Sequence, residues 1–144
     1  MQPITRKLYA DKVDAWISKG QIIVLTGQRR VGKSYILKDF MERHKADPQS
    51  NFIYINKERK KFDALKNYEQ LNTYIDEQWG ENTHNYILID EVQEIEGWEK
   101  SIRSYRLEDN TDILITGSNS KMLSSELSTL LGGRYQESNV QSLS

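Results

Sequence analysis

The residues with the clearest capacity for chemistry form one short run, Gly27-Gln28-Arg29-Arg30-Val31-Gly32-Lys33-Ser34. The run matches the pattern G-x-x-x-x-G-K-[ST] at every fixed position. Its glycines let the backbone turn so that successive N–H groups face one anion, and the following helix adds its positive end. Lys33 would reach the β- and γ-phosphates of a nucleotide, and the Ser34 hydroxyl would bind Mg²⁺. We therefore interpret residues 27–34 as a phosphate-binding loop, in which Arg29 and Arg30 could face solvent or a partner.

A second candidate is the acidic pair Asp90-Glu91, which ends the apolar run Tyr86-Ile87-Leu88-Ile89. It follows Lys33 by 90 − 33 = 57 residues, which leaves room for a helix, a strand and another helix. The end of this strand can therefore lie beside the loop in one parallel sheet. Asp90 would then hold Mg²⁺ through water, together with Ser34. Glu91 would be the general base that orients and deprotonates the attacking water.

Two features distinguish among GTPases, small-molecule kinases and ATP-hydrolysing proteins with a phosphate loop. A GTPase would need an Asn-Lys-x-Asp motif, and the nearest match, Asn56-Lys57-Glu58-Arg59, has arginine in place of the aspartate. A small-molecule kinase transfers its phosphoryl group to a hydroxyl and needs no glutamate to activate water. We favour hydrolysis, keep a nucleotide-gated adaptor with negligible hydrolysis as the alternative, and rank a small-molecule kinase third.

Two later segments supply further candidates. Ser118 and Asn119 follow the apolar run 112–116, where a polar side chain could sense the γ-phosphate, although both residues are also preferred helix caps. Arg134 follows Leu131-Gly132-Gly133, whose glycines are most simply a left-handed helix cap. Arg134 could instead reach a γ-phosphate in its own subunit or a neighbour's, a role worth roughly 10³- to 10⁵-fold in turnover. An isolated domain without a placed arginine should hydrolyse slowly.

Elements of alternating type must position these side chains. Apolar, β-branched runs at 22–26, 52–56, 86–90 and 113–116, with a weaker one at 134–140, predict strands. Residues with helical spacing lie before, between and after them. These residues are Tyr9, Val13, Trp16 and Ile17; Ile36, Leu37, Phe40, Met41 and His44; Leu65, Tyr68, Leu71, Ile75 and Trp79; Trp98, Ile102 and Tyr105; and Met122, Leu123, Leu127, Leu130 and Leu131. The alternation predicts an α/β fold with a mainly parallel sheet flanked by helices.

Composition bounds the remaining possibilities. The chain has 144 residues, the length of one domain, and its 20 basic and 21 acidic residues give a net charge of −1. Because it has no cysteine, disulfides and thiolate metal sites are excluded, and its two histidines make no metal-binding pattern. No apolar run approaches a membrane span and the first residues lack a secretory signal, so we expect a cytoplasmic protein without a membrane partner.

A basic run, Lys57-Glu58-Arg59-Lys60-Lys61, is the sequence feature that could contact nucleic acid. It has no interleaved aromatic residues on which bases could stack. Since the overall charge is also near zero, we favour a solvated loop and keep nucleic acid as a weakly supported partner.

Taken together, the motifs resemble those of a prokaryotic family of AAA-type ATPases, in which an ATPase core precedes a C-terminal domain of unknown function. The matching segments are residues 27–34; Leu88-Ile89-Asp90-Glu91-Val92-Gln93 with Gly97-Trp98; Leu114-Ile115-Thr116-Gly117-Ser118-Asn119-Ser120; and Leu131-Gly132-Gly133-Arg134. The resemblance implies a P-loop NTPase core with a five-stranded parallel sheet of order 5-1-4-3-2. It also implies ATP and Mg²⁺ as ligands.

One departure concerns the end of the chain. Members of the family continue through a Pro-Leu-Ser segment into a second domain, whereas here Ser142 stands in the proline position and the sequence ends at Ser144. We interpret residues 1–144 as one ATPase core domain and as the N-terminal part of a longer chain. The predicted function is Mg-dependent ATP hydrolysis, slow in isolation and coupled to a protein partner, to self-association or to the missing C-terminal part.

Overall fold

A computed structural model describes residues 3–17, 19, 21–28, 32–118 and 124–140. Helices and strands alternate along the chain, which confirms the predicted α/β class. The elements are α1 (Pro3–Trp16), β1 (Ile22–Thr26), α2 (Lys33–His44), β2 (Ser50–Asn56), α3 (Tyr68–Gln78), β3 (His84–Asp90), α4 (Trp98–Tyr105), β4 (Thr111–Gly117), α5 (Ser124–Leu131) and β5 (Tyr135–Asn139). Short 3-10 turns at Lys60–Phe62 and Val92–Glu94 follow β2 and β3.

The described strands form one five-stranded parallel sheet of order β2-β3-β4-β1-β5. Listed from β5 to β2, this is the order 5-1-4-3-2 that the resemblance implied. Thr26 at the end of β1 pairs with Gly117 on β4 and with Asn139 on β5, while Asn56 on β2 pairs with Asp90. The carboxyl ends of the strands therefore meet at one edge of the sheet, which is where parallel α/β sheets bind ligands.

Two apolar layers enclose the sheet. Alternate residues of β1 point to opposite faces: Ile22 and Val24 pack with side chains of α3, α4 and α5, whereas Ile23 and Leu25 pack with side chains of α1 and α2. All five residues of β1 are buried. Burial on both faces explains why the strands appear in the sequence as continuous apolar runs and not as alternating ones.

Several element boundaries differ from the predicted ones. β2, β3 and β4 each begin two residues earlier, because polar residues at their amino ends continue the pairing, as in Ser50 with His84. β5 lacks the first and last residues of the predicted run 134–140. α3 begins after Asn67, which forms a capping box with Gln70, so Leu65 precedes the helix although it is still buried.

The other helices form where they were predicted, although Ile17 follows the end of α1 and Trp79 follows the end of α3. Trp98 begins α4 and is buried, consistent with a helix anchor. Leu127 and Leu131 of α5 are buried, whereas Met122 and Leu123 lie outside the described residues. No helix in the described part of the chain combines the length and the apolar character that crossing a bilayer requires.

Candidate functional site

The carboxyl edge of the sheet brings the predicted phosphate loop and the predicted acidic pair together. Ser34, in the first turn of α2, donates a hydrogen bond from Oγ to Oδ2 of Asp90, at the end of β3. Ser118, which follows β4, donates from Oγ to Oε1 of Glu91. Three strand ends far apart in sequence therefore contribute to one polar cluster.

The phosphate loop has the backbone that its glycines predict. Gly27 and Gly32 adopt positive φ angles of 143° and 107°, and Gly32 caps the amino end of α2. Lys33 is only 4% exposed, and its Nζ donates to the carbonyl oxygens of Gly27 at 2.5 Å and Gln28 at 2.8 Å. The buried ammonium group thus lies over the loop backbone at the positive end of α2, where an anion would be stabilised.

The Asp90 carboxylate is buried and held at both oxygens. Its exposed fraction is 1%, Oδ2 accepts from Ser34, and Oδ1 accepts from Oγ1 of Thr116 at 2.6 Å. Thr116 was not among the predicted site residues. Its position near the end of β4, two residues before Ser118, was the available signal.

Glu91 occupies an unusual backbone conformation. Its φ and ψ angles are 61° and 56°, in the left-handed region that side-chain-bearing residues seldom adopt. Its N–H donates to Oγ1 of Thr116 at 2.9 Å, and its carboxylate accepts from Ser118 and, at 3.4 Å, from Nε2 of Gln93. With 2% exposure, this carboxylate is positioned by named contacts and not by solvent.

The end of β2, which was not among the predicted site residues, lies beside Asp90. The N–H of Lys57 donates to the carbonyl oxygen of Asp90 at 3.1 Å, and Nδ2 of Asn56 donates to the Tyr54 hydroxyl at 3.3 Å. Burial, followed by the charge of Asp90, raises the pKa of Tyr54. The phenol is therefore kept in its neutral form beside the acidic cluster.

The donor set suits Mg²⁺ in a nucleotide complex. Hydroxyl and carboxylate oxygens, as in Ser34 and Asp90, are the hard ligands that Mg²⁺ prefers, and this ion usually takes its other ligands from phosphates and water. In residues 3–17, 19, 21–28, 32–118 and 124–140 there is no cluster of three or more His, Asp or Glu residues that could hold a metal ion. Ser34 and Asp90 would hold Mg²⁺ as two oxygen ligands and leave its other positions to phosphates and water.

Comparison with known proteins agrees with this geometry, since residues 19–144 match a family model described as an AAA domain. The chain belongs to the AAA domain family. A Haemophilus influenzae protein is 36% identical over 144 residues, which cover 98% of this chain and 36% of the relative. A Methanocaldococcus jannaschii protein is 37% identical over 122 residues, which cover 83% of this chain and 26% of the relative. Both are described as uncharacterised, and this AAA domain spans about a third of the first and about a quarter of the second.

Solved structures share the fold of this AAA domain at low sequence identity. A structure of Drosophila ORC bound to GC-rich DNA and Cdc6 has a TM-score of 0.66 at 11% identity, covering 96% of this chain and 57% of that one. Cdc6p from Pyrobaculum aerophilum has a TM-score of 0.61 at 14% identity, covering 92% and 44%. The predicted family and fold are thus confirmed, and the chain is an ATP-binding AAA domain.

Arg134 lies apart from the cluster. It is exposed and precedes β5, its carbonyl oxygen accepts from the N–H of Ile22 at 3.2 Å, and Ile22 is the first residue of β1. The phosphate loop follows the other end of β1, so the length of β1, about 13 Å at roughly 3.3 Å per residue, separates the loop from Ile22. The Arg134 backbone therefore lies at the amino end of β1, whereas the phosphate loop follows its carboxyl end. The preceding Gly132 and Gly133 have φ angles of 65° and 75°, as expected of a left-handed cap.

Four predicted site residues lie outside the described residues. They are Arg29, Arg30 and Val31 of the loop and the γ-phosphate candidate Asn119. Ser118 is thus the described member of the predicted Ser118-Asn119 pair.

The basic run after β2 divides into an inward and an outward part. Nζ of Lys57 donates to the carbonyl oxygens of Phe62 at 2.7 Å and Leu65 at 2.6 Å, and burial lowers its pKa. Arg59, Lys60 and Lys61 are exposed. Lys57 therefore stabilises the segment that follows β2, whereas Arg59, Lys60 and Lys61 face solvent.

Proposed function

We propose that this AAA domain binds Mg-ATP at the carboxyl edge of its sheet and hydrolyses it, and that the cycle drives or switches a partner or another part of a longer protein. The observation that carries the proposal is the convergence of Ser34 on Asp90 and of Ser118 on Glu91. A metal ligand pair and a positioned carboxylate beside a phosphate loop are the parts that water attack on a phosphoryl group requires.

Each residue has a distinct role in this proposal. Lys33 and the loop N–H groups, with Gly27, Gln28 and Gly32 shaping the backbone, would bind the phosphates. Ser34 and Asp90 would hold Mg²⁺, which supplies charge neutralisation at the β- and γ-phosphates. Glu91 would accept a proton from the attacking water while Ser118 orients its carboxylate.

The roles of the residues outside the described ranges remain as predicted. Arg29, Arg30 and Val31 would complete the loop, and Asn119 would join Ser118 in sensing the γ-phosphate. Arg134 would act on the nucleotide of a neighbouring copy, because its own loop lies at the opposite edge of the sheet.

Two substitutions test the site. Lys33→Ala should weaken ATP binding about 10- to 100-fold in calorimetry, since a charge-assisted hydrogen bond contributes about 1.5–3 kcal/mol. Lys38→Ala, an exposed lysine on the same helix, should bind ATP as the parent chain does. Equal affinities for all three proteins would remove Lys33 from the site.

The second substitution, Glu91→Gln, should retain ATP binding and lower single-turnover hydrolysis about 10²- to 10⁴-fold, because it removes the general base. Glu94→Gln, on the exposed surface of the neighbouring 3-10 turn, is the matched control. Unaltered hydrolysis in Glu91→Gln would exclude this carboxylate as the base.

A nucleotide-gated adaptor is the second candidate function. It is favoured by the position of Arg134, because a chain that cannot supply its own arginine finger would bind ATP with little turnover. Single-turnover hydrolysis measured over a range of protein concentrations separates the two. Turnover that stays negligible at every concentration, despite tight ATP binding, would favour the adaptor.

Nucleic acid is the weaker partner proposal. It rests on the exposed side chains of Arg59, Lys60 and Lys61. Binding to duplex or single-stranded DNA should then weaken as salt rises, with a smaller salt dependence in a triple alanine variant. Absence of binding at low salt would remove this proposal and leave a protein partner.

A further inference from the structure

The hydroxyl of Thr116 lies between the two acidic residues of the site. Thr116 is completely buried near the end of β4, and its Oγ1 contacts Oδ1 of Asp90 at 2.6 Å and N of Glu91 at 2.9 Å. A backbone N–H can only donate and an ionised carboxylate can only accept. The hydroxyl therefore accepts from Glu91 and donates to Asp90, so that both contacts fix its orientation.

The contact between Thr116 and Asp90 orients the Asp90 carboxylate. Ser34 donates to Oδ2 and Thr116 donates to Oδ1, so each oxygen is held by a different hydroxyl. If Ser34 and Asp90 held a metal ion, Thr116 would supply the hydrogen bond that orients the Asp90 carboxylate. Such supporting hydrogen bonds orient a metal ligand and tune its affinity.

The second contact supports the strained backbone of Glu91. A left-handed residue with a side chain persists only where its surroundings determine its conformation. The N–H of Glu91 is satisfied by the Thr116 hydroxyl, and Ser118, on the same segment, donates to the Glu91 carboxylate. The end of β4 and the residue that follows it thus hold both the backbone N–H and the carboxylate of Glu91.

We propose that Thr116 is a positioning residue for the proposed reaction: one hydroxyl aligns the Asp90 carboxylate for the metal ion and the Glu91 backbone for water activation. The inference rests on the proposed Mg-ATP hydrolysis and deepens it. In this role Thr116 acts through the two acidic residues that its hydroxyl contacts.

The test compares Thr116→Val, which removes the hydroxyl and keeps the shape, with Thr116→Ser, which keeps the hydroxyl. Thr111→Val is the matched control. Thr111 is the first residue of the same strand, and its hydroxyl donates to the Asp109 carbonyl oxygen at 3.1 Å. Four quantities are measured for each protein: the Mg²⁺ concentration that half-saturates ATP binding, the ATP affinity without Mg²⁺, the single-turnover rate, and the Tm.

Thr116→Val should raise the half-saturating Mg²⁺ concentration and lower the turnover rate, each about 10- to 100-fold. Its ATP affinity without Mg²⁺ should equal that of the parent chain, because Lys33 and the loop bind phosphate without help from Thr116. Thr116→Ser and Thr111→Val should stay within about threefold of the parent in Mg²⁺ dependence, ATP affinity and turnover, because both variants keep a hydroxyl at position 116 that can donate to Asp90.

A double-mutant cycle identifies the route of the effect. If Thr116 acts on the metal through Asp90, adding Thr116→Val to Asp90→Asn should change the Mg²⁺ dependence far less than it does in the parent chain. Fully multiplicative effects would show that Thr116 acts independently of Asp90 and would overturn the proposal.

Other outcomes are equally decisive. Thr116→Val could show the same Mg²⁺ dependence and turnover as the parent chain while Glu91→Gln abolishes hydrolysis. This result would overturn the role of Thr116 and leave the proposed function intact. A parent chain that does not bind Mg-ATP would overturn both. If Thr116→Val does not fold, Thr116→Cys, with a similar size and only a weak donor, replaces it under the same criteria.

Discussion

Glu91 combines a left-handed backbone conformation with a buried carboxylate. A left-handed conformation costs an L-residue about 1–2 kcal/mol, and burying a carboxylate adds to this cost. Thr116, Ser118 and Gln93 supply the hydrogen bonds that offset it. A residue that only completed a turn would be better replaced by glycine, so the presence of glutamate here fits a catalytic carboxylate.

We therefore expect one substitution of Glu91 to increase stability and abolish activity. Glu91→Gly should raise the free energy of unfolding by about 1 kcal/mol, because relief of the positive φ outweighs the added chain entropy of glycine. The same variant should lose hydrolysis. Urea denaturation and single-turnover assays measure the two effects.

Asn110→Gly is the control for this prediction. Asn110 also has a positive φ, 54°, but it is exposed and asparagine tolerates this region, so stability should change by less than about 0.5 kcal/mol. A loss of stability in Glu91→Gly would mean that the hydrogen bonds to the carboxylate outweigh the strain.

At the scale of elements, the junction between α3 and α4 supports the chain that leaves the acidic pair. Gly97 caps α4 with a φ of 74°, and a Cβ built there would lie 2.7 Å from Cδ1 of Tyr68. Ser101 of α4 donates to Asn72 of α3 at 2.6 Å, which joins the two helices nearby. The 3-10 turn between Glu91 and α4 is thus anchored at its far end by close packing.

Gly97→Ala should therefore lower the free energy of unfolding by about 2–3 kcal/mol, because it combines an unfavourable φ with a steric overlap. Gly133→Ala is the matched control: its φ is 75°, but a Cβ there would meet nothing within 4 Å. It should cost only about 1 kcal/mol. Equal losses in urea denaturation would show that Tyr68 moves aside and that only the backbone angle matters.

For the whole molecule, the two ends of the parallel strands carry different candidate site residues. The phosphate loop and acidic pair lie at the carboxyl edge, while Arg134 precedes β5 at the amino edge. Joining copies so that one copy's amino edge meets the next copy's carboxyl edge would complete a site between them. Such a heterologous contact is the type that forms rings and filaments.

This arrangement predicts complementation between two inactive variants. Arg134→Ala and Glu91→Gln should each hydrolyse ATP slowly alone. Their mixture should recover turnover, because a Glu91→Gln copy retains the Arg134 that an Arg134→Ala copy lacks. Turnover of the parent chain should also rise more than linearly with protein concentration. A mixture no more active than its components would remove Arg134 from the neighbouring site.

Element types and the phosphate loop were predictable because their signals are local. Gly27, Gly32 and Lys33 lie within one turn and its helix, and the apolar runs of β1 and β3 record burial on both faces. The beginnings of β2, β3 and β4 were missed because residues such as Ser50 and His84 are polar and join the sheet only through pairing with a neighbouring strand. Tertiary contact there outweighs intrinsic preference.

The sequence by itself determined which chemical groups the protein offers and that they stand at strand ends, because glycine spacing and apolar runs depend on interactions between near neighbours. Only the tertiary structure decided which atoms are in contact and that Thr116 lies between the two acidic residues. Thr116 and Asp90 are 26 residues apart, and Ser34 and Asp90 are 56 apart. Their contacts follow from the placement of β3, β4 and β1 side by side, which packing of the two apolar layers selects. For that reason the candidate metal ligands and the candidate general base could be named from the sequence, and the threonine between them could not.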